Sequence, residues 1–281
     1  MDRWTRAAAG AAAVAVIGAT TVGIARSRWL REAQDDVMHL REEGGLVDGS
    51  FVALPSAVPV CVARYLDYVF ALDQRRIRAA HIVQHGEMRG DARGSWYRFV
   101  AQEHVAADPP GFVWDATMYA GRVPLVAVHD RYVDGNGASK GSLLGAMPLP
   151  GPAHSPLMDA AALLRYVAEA VWYPTVLEPS GHVRWDELGE YEARVTFTHG
   201  ATQSVLDARF NERGEMIEAV GMRARTVGRT LEPTRWIVRY GDYRRFEGMM
   251  IPCFGEVSWA PTAGEFAVWR GKIDEISYEY A

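Results

Sequence analysis

Ser155 to Pro174 reads SPLMDAAALLRYVAEAVWYP, and this stretch decides the fold, being the best-marked helix in a chain that otherwise alternates like a large antiparallel sheet. Ser155 is a good N-cap, and Pro156 stands at the first helical position, where its missing N–H and fixed φ do no harm. Asp159 lies in the early turns, where the helix dipole favours an anion. Leu157, Ala160, Ala161, Leu164, Val167, Ala168 and Val171 recur on one face at helical spacing, and Pro174 disfavours helix at Tyr173 and ends the run.

On the N-terminal side of this helix the period changes to two from Ile77. GSWYRFVAQEHV, FVWDATMY, PLVAVHDRYVDGNG and ASKGSLLGAMPL read as successive strands, separated by Gly, Pro and Asp turns at Asp108–Gly111, Gly121–Pro124 and Asp134–Gly137. Phe112, Trp114, Ala116 and Met118 face one way while Asp115 and Thr117 face the other, the pattern of a sheet with one buried side. On the C-terminal side EYEARVTFTHG, SVLDARF, MIEAVGMRAR, TRWIVRYGDYRRF, IPCFGEVSWA and FAVWRGKIDEISYEY form a second run. A sheet of about ten or more strands tends to curl, and its concavity needs an apolar occupant. The expected fold class is therefore α+β: a large curved antiparallel sheet, an incomplete β-barrel, wrapped around a central helix and preceded by an N-terminal hydrophobic helix.

That N-terminal element is Ala7 to Ala25, AAAGAAAVAVIGATTVGIA, uncharged and flanked by Arg3, Arg6, Arg26, Arg28 and Arg31. It is long enough to span a bilayer once, though alanine and glycine make it only weakly apolar. A retained anchor, a signal peptide cleaved near Gly23–Ala25, and a soluble Ala-rich leader are all open readings. Arg26 to Glu43 is helix-permissive, with Leu30, Val37 and Leu40 as a thin apolar stripe and Gly44–Gly45 closing it, and reads as a juxtamembrane helix or stalk. Residues 1–45 are thus expected to be an N-terminal hydrophobic segment and juxtamembrane helix, and residues 46–281 a single β-rich domain. The body opens on a packing helix in LPSAVPVCVARYLDYVFA, with Ser56 as its expected N-cap and Val58, Val62, Tyr65, Leu66, Val69 and Phe70 on one face.

With 281 residues, 49% of them hydrophobic, the chain can bury one large core. The net charge of −5 and the lack of a Lys/Arg block exclude nucleic acid as an expected partner. Two cysteines, Cys61 and Cys253, are too few for a disulfide framework or a thiolate metal site; a single bridge between them stays open. His81 and His85 are separated by four residues on one strand, roughly 13 Å, so no metal site is expected, and no cofactor motif is complete. Gly137 to Gly141 matches the G-x-S-x-G string, but it leads into a strand rather than the helix that motif needs.

The candidate site residues cluster around the central helix. Arg165 and Glu169 are four apart on its polar side, with Tyr166 and Trp172 nearby. The plain reading is a solvated i,i+4 pair, yet Arg precedes Glu, the weaker order, and Glu169 lies near the negative end of the dipole. A partner from the sheet would explain it, and Arg270 in WRGK is the expected one. Glu103 interrupts the apolar face of Tyr97, Phe99, Ala101 and Val105, where a buried carboxylate needs a partner or a raised pKa; a place on the sheet's rim is the expected outcome. Trp114, Trp172 and Trp269 are the tryptophans expected to line an apolar cavity.

Several stretches resemble an uncharacterised bacterial family, a domain of unknown function: LPSAVPVCVARYL, DPPGFVWDA, DRYVDGNG, LLRYVAEAVWYPT, VRWDE, YGDYRRFEGMMIPCFGEVSW and WRGKIDEISYEY. They cover nearly the whole body and bring no catalytic residue with them. The element YGDYRRFEGMMIPCFGEV is also similar to one in lipoprotein-carrier-like (LolA-like) envelope proteins, whose incomplete barrel wraps helices and holds acyl chains. That resemblance implies an apolar cavity between sheet and helix. The expected function is a membrane-tethered or exported binding protein of the cell envelope, attached to the membrane through residues 7–25 and holding a lipid or other hydrophobic molecule in the sheet concavity. The alternatives are an enzyme using Glu103 and Glu169, or a structural, partner-binding envelope module without a ligand.

Overall fold

A computed structural model describes residues 23–42, 58–71, 73–228 and 230–281. Residues 7–22 of the apolar run, Ser56 and the Gly44–Gly45 stop lie outside the described residues, and among those described no helix is long and apolar enough to cross a membrane. Residues 23–42 are helical (α1). Helix α2 (Val60–Val69) turns Cys61, Val62, Tyr65, Leu66 and Val69 into the core, close to the expected face. Cys61 and Cys253 are both free and buried, so the open question of a bridge is answered in the negative.

The strands form one antiparallel sheet of thirteen. The first meander is β1 (Ile77–Met88), β2 (Tyr97–Ala106), β3 (Gly111–Ala120), β4 (Val123–Val133), β5 (Asn136–Leu143) and β6 (Met147–Pro148). The second is β7 (Val183–Gly189), β8 (Glu192–His199), β9 (Thr202–Phe210), β10 (Met216–Val227), β11 (Thr230–Phe246), β12 (Met249–Ala260) and β13 (Phe266–Tyr280). Their order is β6-β5-β4-β3-β2-β1-β13-β12-β11-β10-β9-β8-β7, and the sheet is open between β6 and β7. The two meanders are joined by their outermost strands in sequence, β1 and β13, with Ala80 opposite Tyr278 and Gly86 opposite Gly271. The stretch expected as one strand, ASKGSLLGAMPL, is broken by a turn at Leu144–Gly145, where both residues have positive φ.

The central helix α3 (Pro156–Glu169) starts as its sequence indicates, with the Ser155 hydroxyl accepting from the Met158 N–H. It differs from the amphipathic expectation in having no solvent side over its last turns. Residues Ala161 to Ala168 are all buried, Arg165 among them, while Leu157 at its start is exposed. It packs against β3, β4 and β5 of the first meander and against β9 and β10 of the second. The approach to β5 is close: a Cβ on Gly137 would lie 2.4 Å from the Met158 carbonyl oxygen, and the Gly137 N–H instead donates to the Asp159 carboxylate at 2.7 Å.

A helix that ends inside a core leaves carbonyl groups without water. Tyrosines from three places solve this. Tyr173 Oη donates to the Tyr166 carbonyl at 2.7 Å, Tyr240 Oη to that of Ala168 at 2.8 Å, and Tyr278 Oη to that of Trp172, in the following 3-10 turn, at 2.7 Å.

The sheet is not bare on its other face. Helix α1 lies across β3 and β4 through Ala33, Val37 and Leu40, and Leu40 joins Ala106, Val113 and Val133 in a small separate core. Leu30, expected on this stripe, is exposed, and Val113 is buried opposite Trp114, so β3 is covered on both faces. The seal is electrostatic. His129 on β4, 2% exposed, bonds Asp115 at 2.7 Å and Asp36 of α1 at 2.9 Å. Burial pulls the imidazole pKa down, but the two carboxylates outweigh it and raise it to about 9.

Because the folded value lies above the ordinary 6.5, this docking contribution is complete below pH 6.5 and is lost as the pH rises through about 9. Hydrogen exchange across residues 23–42 should therefore accelerate between pH 8 and 10, about the folded value, ahead of that in α3. Asp36→Asn should weaken local protection of α1 at neutral pH by about 2 kcal/mol, the range for a hydrogen bond to a charged group.

Candidate functional site

Register places three chemically distinct residues side by side on the face of the sheet that meets α3. Glu103 on β2 is opposite Trp114 on β3, and Trp114 is opposite Asp130 on β4. Gln84 on β1 completes the group: its amide nitrogen donates to Glu103 Oε2 at 3.0 Å and its oxygen accepts from the Trp114 indole N–H at 3.0 Å. Arg165 descends on this row from α3. Its guanidinium lies 4.7 Å from the Trp114 ring centre and 4.9 Å from that of Phe112, and it donates to Asp130 at 2.7 Å and to Glu169 at 2.8 Å.

Two expectations are corrected here. Glu169 does not pair with Arg270; its partner is Arg165, and the i,i+4 pair is buried rather than solvated, which is why the weaker order is tolerated. Arg270 sits outside this group, bonded to Glu256 at 2.6 Å and stacked on Trp96. Glu103 is not on the rim but 0% exposed, because β1 and β3 flank β2 and α3 covers it.

Glu103 and Glu169 are within hydrogen-bonding reach of each other. Burial, and then the Glu169 charge, push the Glu103 pKa well above the usual carboxylate range. Among the described residues Glu103 Oε1 and Glu169 Oε2 have no other hydrogen-bond partner, so a single proton held on Glu103 and donated to Glu169 satisfies both. Burial acts to lower the Arg165 pKa, but Glu169, Asp130 and Glu103 outweigh it, and the arginine stays charged. The group is thus a neutral acid, two carboxylates and one cation in a nearly dry interior.

Beside this group is a cavity of about 200 Å³ between α3 and strands β1 and β10–β13. Trp114, Trp172, Trp236, Trp259 and Trp269 line it, with Arg165, Glu169, Asp130 and Arg223 supplying the polar wall. Its floor depends on glycine. Gly86, Gly271 and Gly255 stand next to one another on β1, β13 and β12. Trp269 packs on Gly271 and Gly255: a Cβ on Gly271 would overlap its ring, and one on Gly255 would lie 3.2 Å from it. The same ring stacks on Phe99 at 5.6 Å, and Trp172 is held by its indole N–H to the Pro252 carbonyl at 3.0 Å.

All three tryptophans singled out from the sequence therefore face one cavity, together with Arg165 and Glu169. Tyr166 is close but turned away, its hydroxyl donating to the Ala106 carbonyl at 3.0 Å, and Glu103 supports the wall without lining the space. Gln84, Asp130 and Arg223 were missed. DRYVDGNG marked a turn, and nothing local tells that Asp130 points at a helix 35 residues on. A broader groove of about 860 Å³ lies between α1 and the sheet, lined by Trp29, Val37, Val100 and Val126 among others.

Arg165→Ala should lower stability by about 3–5 kcal/mol in urea denaturation, since it leaves two carboxylates buried without their cation. Glu103→Gln should be far milder and should change the pH profile. A folded pKa above the ordinary 4.5 gives stability that is complete below pH 4.5 and declines as the pH rises through the elevated folded value. The glutamine variant should lack that decline.

No curated protein matches the chain. Among solved structures, it is similar to a DUF1329 family protein from Desulfovibrio piger, with 8% identity over 79% of this chain and 94% of that one at a TM-score of 0.42. It is also similar to a putative outer membrane lipoprotein-sorting protein domain from Vibrio parahaemolyticus, with 7% identity over 72% and 85% at 0.39. A LolA superfamily protein from Nitrosomonas europaea shows 12% identity over 80% and 96% at 0.33. At these values the likeness is remote. The family match is of another order: every residue of the buried group and of the tryptophan-lined cavity falls within residues 56–278, which match the family of unknown function DUF6920, and the chain belongs to that family.

Proposed function

We propose that this chain is a binding protein of the cell envelope that holds a hydrophobic or amphiphilic molecule of the lipid class between α3 and the sheet. In this reading the sheet curves around α3, residues 46–281 form the binding body, and the stretch before them tethers it to the membrane through residues 7–25. The observation that carries the reading is the cavity itself. Five tryptophans around about 200 Å³ of space, one of them packed on Gly271 and Gly255, form an apolar recess that the surrounding side chains leave unfilled. Small-molecule sites are mostly apolar, with a few fixed polar groups, and here Arg165, Asp130 and Glu169 are those groups. The volume is below the roughly 300–1,000 Å³ of drug-sized pockets, which suits one slender chain rather than a lipid with several.

Native mass spectrometry of the purified protein, followed by organic extraction, should yield a co-purifying hydrophobic molecule. Titration with a ten-carbon alcohol should quench or shift tryptophan emission. Val257→Phe, which fills the cavity from β12, should weaken that binding at least tenfold while leaving the fold intact by circular dichroism. Absence of any bound molecule, together with no response to the alcohol, would argue against the reading and for a module without a ligand.

A further inference from the structure

The cavity wall carries a cation that the buried group does not account for. Arg223 on β10 lines the cavity with its guanidinium 5.0 Å from the Trp236 ring centre and 5.9 Å from that of Trp259. Its Nε donates to the Ala161 carbonyl of α3 at 3.0 Å, which fixes the side chain and leaves the two terminal nitrogens without a protein partner among the described residues. The carboxylates that reach it electrostatically are Asp130 and Glu169, and both are already bonded to Arg165.

Two residues further along the same strand, outside the cavity lining, Arg225 lies 6.0 Å from the Trp259 ring centre and 5.9 Å from that of Phe266, and its buried Nε has no partner among the described residues. Arg89 also lines the cavity; it donates to the carbonyls of Ala267 and Ala92, lies 4.6 Å from the Trp96 ring centre, and has no carboxylate partner among the described residues. So Arg89, Arg165 and Arg223 line one apolar recess, with the side chains of Asp130 and Glu169 among them. Desolvation, and then repulsion from Arg165, lower the Arg223 pKa to about 10, yet at neutral pH it stays charged. A guanidinium held in such surroundings without an anion is costly, and a bound anion would relieve it.

We propose that the ligand is an anionic amphiphile whose carboxylate or phosphate head is held by the terminal nitrogens of Arg223, with its apolar chain lying over the tryptophans. This rests on the binding function proposed above and specifies the charge and position of the head. Purely apolar molecules give Arg223 nothing, and a cationic head would meet like charge on three sides.

The test compares ligands of equal chain length on the full chain: decanoate, decyl phosphate, decanol and decyltrimethylammonium, followed by tryptophan fluorescence and calorimetry. Either anion should bind at least tenfold more tightly than decanol, with the ammonium compound weakest. The anion advantage should shrink as salt is raised, and the stronger anion identifies the head. Arg223→Gln should reduce the anion-over-alcohol ratio about tenfold, whereas Arg270→Gln, outside the cavity, should leave it unchanged. Should Arg223→Gln fail to fold, the ratio and its salt dependence in the unaltered protein still decide. Equal or tighter binding of decanol would overturn the anionic head and leave the apolar cavity standing; binding of none of the four would overturn the cavity reading itself.

Discussion

Arg165 is where the helix and the sheet are fastened together. It leaves α3 in a position surrounded by protein, lies over the rings of Phe112 and Trp114, and reaches Asp130 on the sheet and Glu169 on its own helix. A guanidinium so placed is stable only because its partners are held in position around it: register sets Glu103, Trp114 and Asp130 in one row, and Gln84 holds two of them. The shared proton between Glu103 and Glu169 lowers the charge that must be kept out of water. Such a cluster adds less net stability than apolar packing would, but it admits one placement of α3 over the strands and penalises a shift by a turn.

That placement has consequences for the space beside it. A helix buried on every side over Ala161 to Ala168 cannot rely on water for its end groups, and the hydroxyls of Tyr173, Tyr240 and Tyr278 take that part. In the row Gly86, Gly271, Gly255 the sheet carries no side chains, and Trp269 packs on Gly271 and Gly255. The cavity is therefore a product of fixed backbone and locked aromatic rings. Those are the conditions under which a pocket keeps its shape when empty, and binding then requires little reordering.

The opposite face is sealed by different means. α1 makes only a narrow apolar contact through Ala33, Val37 and Leu40, and a buried imidazolium between Asp36 and Asp115 supplies the remaining specificity. Lys140 pairs with Glu32 and His39 with Asp134 at the edges of this contact. The segment that leads away from the apolar N-terminal run thus ends on the sheet, behind the strands that carry Glu103, Trp114 and Asp130.

Local chemistry written in the sequence determined the elements. Ser155 and Pro156 start α3, period-two alternation marks the strands, glycine and proline mark the turns, and three of the five cavity tryptophans, Trp114, Trp172 and Trp269, were legible as candidates for lining an apolar space, whereas Trp236 and Trp259 were not. Even Arg165 and Glu169 stood out, because their order is wrong for an isolated helix. What the sequence by itself could not determine is which groups meet across distance. Glu103 reads the same on a rim or in a core, and only its position between β1 and β3 beneath α3 makes it a neutral acid. Arg270 and Arg165 are equivalent cations on paper; the tertiary structure gave Glu169 to one and Glu256 to the other. The joining of β1 to β13, with Gly86 set opposite Gly271, comes from pairing between residues nearly two hundred positions apart, and Arg223 is held beside the cavity by a carbonyl 62 residues away. Nearest-neighbour propensities carry no information at that range, since such contacts are settled by the collective burial of the whole sheet.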